Sequence, residues 1–233
     1  MMTIKAVLFD LDQTLLDRTT SLKKFLNWQI NFYQLVDSDL KNDFIQRFLV
    51  LDANGSVWKD RVYAQLIEEF QITHHSTEIL LQSYIQDFNK FCTPFDGVKT
   101  TIEALYENGY KLGLISNGKS PFQEHNFYAL GLKQYFSSII VSEAVGLRKP
   151  DPRIFHLACE QLKIYPQDAI FVGDNWKVDI QGAQSAGLQA LYFQGGELQH
   201  QPQATEKNII NNFSDVLKVI QTLRSQELES DED

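Results

Sequence analysis

Cysteine is nearly missing from this chain: Cys92 and Cys159 are the only two in 233 residues. They form no metal-ligand spacing, and one pair cannot staple a chain of this size, so a disulfide framework and a cysteine-held zinc site are excluded and a reducing interior is expected. The five histidines, at 74, 75, 125, 156 and 200, form no metal spacing either. Positive charge is also scarce. Lys and Arg number 21 against 30 Asp and Glu, for a net charge of −9, which argues against a general nucleic-acid binder. No apolar run approaches the roughly 20 residues a membrane helix needs. Asp10 and Asp12 interrupt the first apolar run too early for a signal peptide. The chain therefore reads as soluble and cytoplasmic. Internal repeats are lacking, and proline is absent between Asp17 and Phe91.

What the chain does have is a 43% hydrophobic content, ample for one large domain or two unequal ones. The most informative stretch is Val7-Leu8-Phe9-Asp10-Leu11-Asp12-Gln13-Thr14. Ile4 to Phe9 has the length and composition of a buried strand, and it ends in two carboxylates. An Asp after a strand is often only a turn former or helix cap. A calcium loop starting at Asp10 would need Gly at its sixth position and Glu at its twelfth, where Leu15 and Ser21 stand, so that reading fails. A nucleophile with an adjacent acid and base remains.

From Asp17 to Phe91 the apolar residues recur at helical spacing. Leu22, Phe25, Leu26, Gln29, Ile30 and Tyr33 form one stripe; Phe44, Ile45, Phe48 and Leu49 a second; Val62, Leu66, Ile67 and Phe70 a third; Ile79, Leu80, Tyr84, Ile85 and Phe88 a fourth. Breaks fall near Asp37-Ser38, Asn54-Gly55 and Thr73 to Ser76, which predicts a four-helix insertion. Trp28, Phe32 and Tyr33 read as its core. After Pro94 strands and helices alternate. Strands are expected at 111–116, 138–141, 169–172 and 188–193, and helices at 98–106, 121–130, 152–162, 178–186 and 212–223. Such alternation implies an α/β fold with a doubly wound, Rossmann-like parallel sheet. The expected organisation is a discontinuous core over 1–16 and 92–226, a helical insertion over 17–91, and a flexible acidic tail over 227–233.

Ligands of such sheets gather at the carboxyl ends of the strands. Asp10 and Asp12 lie there, as do Ser116-Asn117-Gly118 and Gly173-Asp174-Asn175, with Asp179 five residues past Asp174; Lys149-Pro150 stands just ahead of the helix that Asp151 caps. Each alone is weak, since Ser116 and Asn117 suit turns, Asp174 suits a helix cap and Lys149 suits a solvated surface. Together they make a site. Converging carboxylates need a cation, because two unit charges 4 Å apart repel by about 4 kcal/mol at an effective dielectric of 20. Hard oxygens suit Mg²⁺, which shares its sphere with phosphate. Lys149 and the donors at Ser116 complete a phosphoryl-transfer constellation.

With these four motifs in order, the chain resembles the haloacid dehalogenase superfamily, in the branch with a helical cap inserted after the first motif. The resemblance covers nearly the whole chain. Gln13 stands where that family most often has Gly. The resemblance implies a hydrolase in which Asp10 attacks phosphorus and Asp12 protonates the leaving oxygen and then activates water. It implies Mg²⁺ held by the Asp10 side chain, the Asp12 main-chain carbonyl and the Asp174 side chain. Ser116 and the Asn117 amide would bind phosphoryl oxygens, Lys149 would neutralise Asp10 and the phosphate, Asp179 would position Lys149 or a metal-bound water, and Thr14 would brace the loop. A small phosphorylated metabolite is the implied substrate.

In capped relatives a loop between the second and third cap helices touches the leaving group. Here it resembles Leu51 to Arg61, where Asn54, Ser56, Lys59 and Arg61 offer polar contacts and Trp58 an aromatic face; an ordinary polar turn is the competing reading. Trp176 either lines the entrance or packs on the sheet. Dehalogenases and phosphonate-cleaving members lack an acid at the position of Asp12, so a phosphomonoesterase is expected. A sugar-phosphate mutase, which keeps that acid, is the second enzymatic reading. A non-catalytic phospho-acceptor or binding module is the reading from a different class, and its acidic spacing and lack of a helical insertion set it apart.

Overall fold

The computed structural model describes residues 4–195 and 209–230. The chain divides into two compact units. One takes in the residues up to Asp17 and from Thr93 onward, and the other is Arg18–Cys92.

The first unit opens with β1 (Ala6–Phe9), whose four residues are wholly buried. A strand covered on both faces reads as a continuous apolar run, as this one does. The helical unit follows with α1 (Arg18–Tyr33), α2 (Lys41–Asp52), α3 (Lys59–Glu69) and α4 (Thr77–Asp87). The α/β unit then resumes with α5 (Val98–Glu107), β2 (Lys111–Ser116), α6 (Phe122–Ala129), β3 (Phe136–Val141), α7 (Ser142–Val145), α8 (Pro152–Leu162), β4 (Ala169–Gly173), α9 (Gln181–Ser185), β5 (Gln189–Phe193), β6 (Ile209–Ile210) and α10 (Asp215–Ser230). The six strands pair in parallel in the order β3-β2-β1-β4-β5-β6. This is the doubly wound sheet that the alternation predicts. Strand order reverses between β1 and β4, so a crevice opens at their carboxyl ends.

Helix α8 shows how sequence makes the layer. Asp151 caps it by accepting from the Arg153 N–H, and Pro152 occupies the first turn, where its missing N–H costs nothing. Ile154, Phe155, Ala158, Cys159 and Leu162 then fall on one buried face. Phe155 meets Phe171 of β4 edge-on, with centroids 5.1 Å apart. Burying such a ring contributes about 1.5–3 kcal/mol. Burial also pushes the Cys159 thiol up to about 11, so Cys159 packs and does not attack.

In the helical unit Leu22, Phe25, Leu26, Gln29 and Ile30 of α1 are buried, at the spacing of one helix face. Gln29 pays for its burial with two bonds: it donates to the Leu80 carbonyl at 3.1 Å and accepts from the Tyr63 hydroxyl at 2.8 Å. Phe32 departs from expectation. It is 64% exposed and stacks on half-buried Trp28 at 5.1 Å; it stands at the edge of that stripe, in the last turn of α1.

Three further differences have local causes. β6 and α7 were not expected, being too short to show a period. The segment 178–186 begins with a wide π turn, Trp176–Ile180, before α9. The stretch expected as tail is helical as far as it is described: α10 continues through Ser230, since Gln226 to Ser230 hold no helix breaker, and Asp231 to Asp233 lie outside the described residues.

Candidate active site

Asp10 follows β1 directly, and its N–H donates to the Val172 carbonyl of β4 at 2.9 Å. The sheet ladder thus fixes its position. Beyond it the chain turns tightly. The Gln13 N–H reaches the Leu16 carbonyl, the N–H groups of Thr14 and Leu16 reach the Leu11 carbonyl, and Leu16 bridges to Pro94. Gln13 adopts φ +61°, a conformation that costs a side-chain-bearing residue roughly 1–2 kcal/mol and that explains a preference for Gly there. Thr14 is fully buried, but its hydroxyl has no partner among the described residues. Its main-chain N–H, bonded to the Leu11 carbonyl, ties it into the loop.

Lys149 is 3% exposed. Its ammonium lies 2.5 Å from Asp10 Oδ1 and 2.8 Å from Asp179 Oδ1, and 5.1 Å from the Phe171 ring centroid. The Asp179 contact is an ion pair whose angle falls outside hydrogen-bond geometry. Reciprocal bonds hold the Lys149 backbone in place: Asn117 Nδ2 donates to its carbonyl at 2.9 Å, and its N–H donates to Asn117 Oδ1 at 3.0 Å. The Asn117 side chain is thereby committed to positioning Lys149.

Asp179 is placed by the π turn. Its Oδ2 accepts from the Asn175 N–H at 3.0 Å, and Asn175 Oδ1 accepts from the Val178 N–H at 3.0 Å. Gly173 makes room for it: a Cβ there would lie 2.6 Å from Asp179 Cβ and Cγ. Asp10, Asp174 and Asp179 each present one carboxylate oxygen, and these oxygens lie within 4.8 Å of one another. Burial raises the Asp10 carboxyl to about 7 against the pull of Lys149, with the charges of Asp179 and Asp12 adding to the rise. Burial likewise raises Asp174 well above the usual carboxylate range, reinforced by Asp10 and Asp179. Lys149 is held charged: burial opposes its charge, but Asp10 and Asp179 raise its pKa above the ordinary value. Three carboxylates surround one ammonium here. Their hard oxygens and excess charge fit a divalent cation such as Mg²⁺. The side chains that cluster for it are Asp10, Asp174 and Asp179.

The Asp12 side chain points elsewhere. Its Oδ2 accepts from Gln123 Nε2 at 2.7 Å, and the same nitrogen donates to Ser116 Oγ at 2.9 Å. Sequence reasoning did not select Gln123. The available signal was a pair of amides, Gln123 and Asn126, on the buried face of α6 beside Phe127. Trp176 packs edge-on against Tyr192, 5.8 Å away.

The helical unit holds its own buried charge cluster. Arg18 donates to both Asp52 oxygens, at 2.7 and 2.8 Å, and Lys59 Nζ lies 2.5 Å from Asp52 Oδ1. Lys59 also donates to the Val57 carbonyl at 2.9 Å and sits over the rings of Trp58 and Tyr84. Burial would raise the Asp52 carboxyl, but Arg18 and Lys59 hold it below the usual range. Asp52 Oδ2 accepts from the Gly55 N–H at 2.8 Å, fixing a turn in which Ala53, Asn54 and Gly55 all take positive φ. The expectation of an accessible Lys59 is therefore corrected. It is 1% exposed, because the buried Asp52 carboxylate draws it inward. Asn54, Ser56 and Arg61 are exposed.

The chain matches the haloacid dehalogenase-like hydrolase family model over residues 7–193. It is 27% identical to a glyceraldehyde 3-phosphate phosphatase of Methanopyrus kandleri over 213 residues, covering 84% of this chain and 86% of that protein. It is 28% identical to a phosphoglycolate phosphatase of Yersinia pestis over 229 residues, covering 97% of each. Among solved structures it resembles that of YfnB from Bacillus subtilis bound to magnesium, with a TM-score of 0.76 and 22% identity, covering 94% of this chain and 99% of that one.

Proposed function

The chain belongs to the haloacid dehalogenase-like hydrolase family, and from that premise we propose that it is a Mg²⁺-dependent phosphomonoesterase acting on a small phosphorylated metabolite through an aspartyl-phosphate on Asp10. The observation that carries this reading is the division of labour between two carboxylates. Asp10 is tied to Lys149 in the charged cluster, while Asp12 is held apart from it by Gln123. A phosphate ester needs both a nucleophile and a group that protonates the departing alkoxide.

The Asp10 carboxylate attacks phosphorus, the bond from phosphorus to the leaving oxygen breaks, and Asp12 gives that oxygen its proton. Asp12, now ionised, takes a proton from a water whose oxygen attacks the phosphorus. The bond to Asp10 breaks, and inorganic phosphate leaves with both carboxyl groups restored. Lys149 offsets the charge on Asp10 and on the phosphoryl group. The Ser116 hydroxyl and the Asn117 main-chain N–H donate to phosphoryl oxygens. Mg²⁺, held by Asp10 and Asp174, would neutralise carboxylate charge and polarise the phosphoryl group when bound. Asp179 joins through Lys149, and the Asp12 carbonyl is assigned to the ion on the family pattern. Exposed Asn54, Ser56 and Arg61 are assigned to reading the rest of the substrate.

Phosphate release over a panel of phosphorylated metabolites, with Mg²⁺ and then with chelator, tests the reading. Metal-dependent release from one class of ester is expected. Full activity in chelator, or isomerisation of a sugar phosphate without phosphate release, would overturn it.

A further inference from the structure

We infer that Gln123 is a positioning residue, one that orients Asp12 for proton transfer and at the same time aims the Ser116 hydroxyl. The inference rests on the phosphomonoesterase reading and adds a residue to that site. Gln123 is 3% exposed, and a buried amide is costly unless its hydrogen bonds are made. Both of its N–H donors go to side chains of the two motifs, Asp12 Oδ2 at 2.7 Å and Ser116 Oγ at 2.9 Å. Its Oε1 accepts from Asn126 Nδ2 at 3.2 Å. That third bond sets the sense of the amide, since the flipped form would turn Oε1 toward the Asp12 carboxylate and bring two NH₂ groups together. The loop is shaped to admit it: a Cβ at Gly118 would lie 2.6 Å from Gln123 Cγ. Ser116 and Gly118 of one motif thus both accommodate this side chain.

The chemistry follows from donor and acceptor direction. The Gln123 bond limits rotation of the Asp12 carboxyl about its own axis, so the proton is delivered along one line. Ser116 accepts from Gln123 and therefore directs its own proton elsewhere, where a phosphoryl oxygen would be met. A misplaced acid matters most when the leaving group needs its proton. An alkoxide does, whereas a nitrophenolate departs without one.

The test compares kcat/KM for an alkyl ester, glycerol phosphate, with that for p-nitrophenyl phosphate, both in Mg²⁺. For Gln123→Leu the alkyl ester should fall by at least about 30-fold and the aryl ester by less than about fivefold, within the range general acid catalysis supplies. KM for the alkyl ester should move by less than about threefold, because the acid acts mainly in the transition state. Gln123→Glu keeps the shape but faces Asp12 with a carboxylate, and should show the same split. Asn126→Ala, which frees the amide to turn, should show it more weakly. If Gln123→Leu does not fold, as judged by its thermal transition, the other two variants carry the test. Equal losses on both esters, or no loss, would overturn the role of Gln123 while leaving the phosphatase reading intact. A wild-type protein that hydrolyses neither these esters nor any phosphorylated metabolite would overturn both.

Discussion

The two units each bury a cluster of charge, and the clusters are built in opposite ways. In the α/β unit the carboxylates of Asp10, Asp174 and Asp179 outnumber the single ammonium of Lys149. In the helical unit one carboxylate, Asp52, lies between Arg18 and Lys59. The protonation tendencies mirror this. Asp10 and Asp174 are pushed up, and Asp52 is held down. A carboxylate pushed up by burial and like charge is unsatisfied by its own protein and calls for an external cation. One held down by bidentate Arg and a lysine is satisfied and holds a turn together. Charge balance, more than burial, separates the proposed catalytic cluster from the Arg18–Asp52–Lys59 cluster.

The sharpest way to break this comparison is at the proposed nucleophile. Asp10→Asn should lower kcat by at least about 10⁴-fold with the fold kept. In the wild type, acid quenching during turnover of an ester radiolabelled in its phosphoryl group should leave label on the protein that hydroxylamine releases, as it does from an acyl phosphate, and Asp10→Asn should carry none. Protein that never carries label would mean that water attacks directly.

The next largest effect is expected in the helical unit. Asp52→Ala leaves Arg18 and Lys59 buried without their counter-ion, which should cost about 3–5 kcal/mol. Denaturant unfolding of the mutant measures it. A loss below about 1 kcal/mol would mean that the cluster is not structural.

A third experiment exploits the opposite signs. Asp10 and Asp174 have folded pKa values above their unfolded ones, so the stability they contribute is full below the unfolded value of 3.8 and is lost as pH rises, through about 7 for Asp10. Asp174→Asn should therefore melt about 2–4 °C higher than wild type at pH 7 without metal, the shift that about 1 kcal/mol gives a chain of this size. The gain should vanish near pH 4, and Mg²⁺ should stabilise the mutant less than the wild type. Asp52 runs the other way: its contribution is present above the unfolded value and is lost as pH falls through its lowered one.

The smallest effect concerns Arg61, exposed in the helical unit. Arg61→Ala should lower kcat/KM for the best metabolite by about tenfold, or about 1.4 kcal/mol, and affect a small aryl phosphate much less. Lys59→Ala should act chiefly on stability, since its ammonium is committed to Asp52. Equal effects of Arg61→Ala on both substrates would remove it from recognition.

How far the sequence could be read depended on the range of each signal. The four helices of the helical unit and the parallel sheet were legible because apolar periodicity repeats within a few residues. β1 announced itself as an unbroken apolar run, and the carboxylates at its end stood in the open. The two-residue β6 carries no such pattern. Side-chain fates were less legible. Asn54, Ser56, Lys59 and Arg61 look alike as polar residues of one loop, yet Lys59 is buried and the others are exposed.

What the sequence determined by itself is which residue types stand at the strand ends, because strand and turn are decided by neighbours along the chain. What only the tertiary structure decided is which charges and amides meet. Arg18 and Asp52 are 34 residues apart, Gln123 and Asp12 111, and Lys149 and Asp10 139. Electrostatic and hydrogen-bonding energies depend on distances of a few ångströms through space, and no local pattern encodes a separation that folding alone closes.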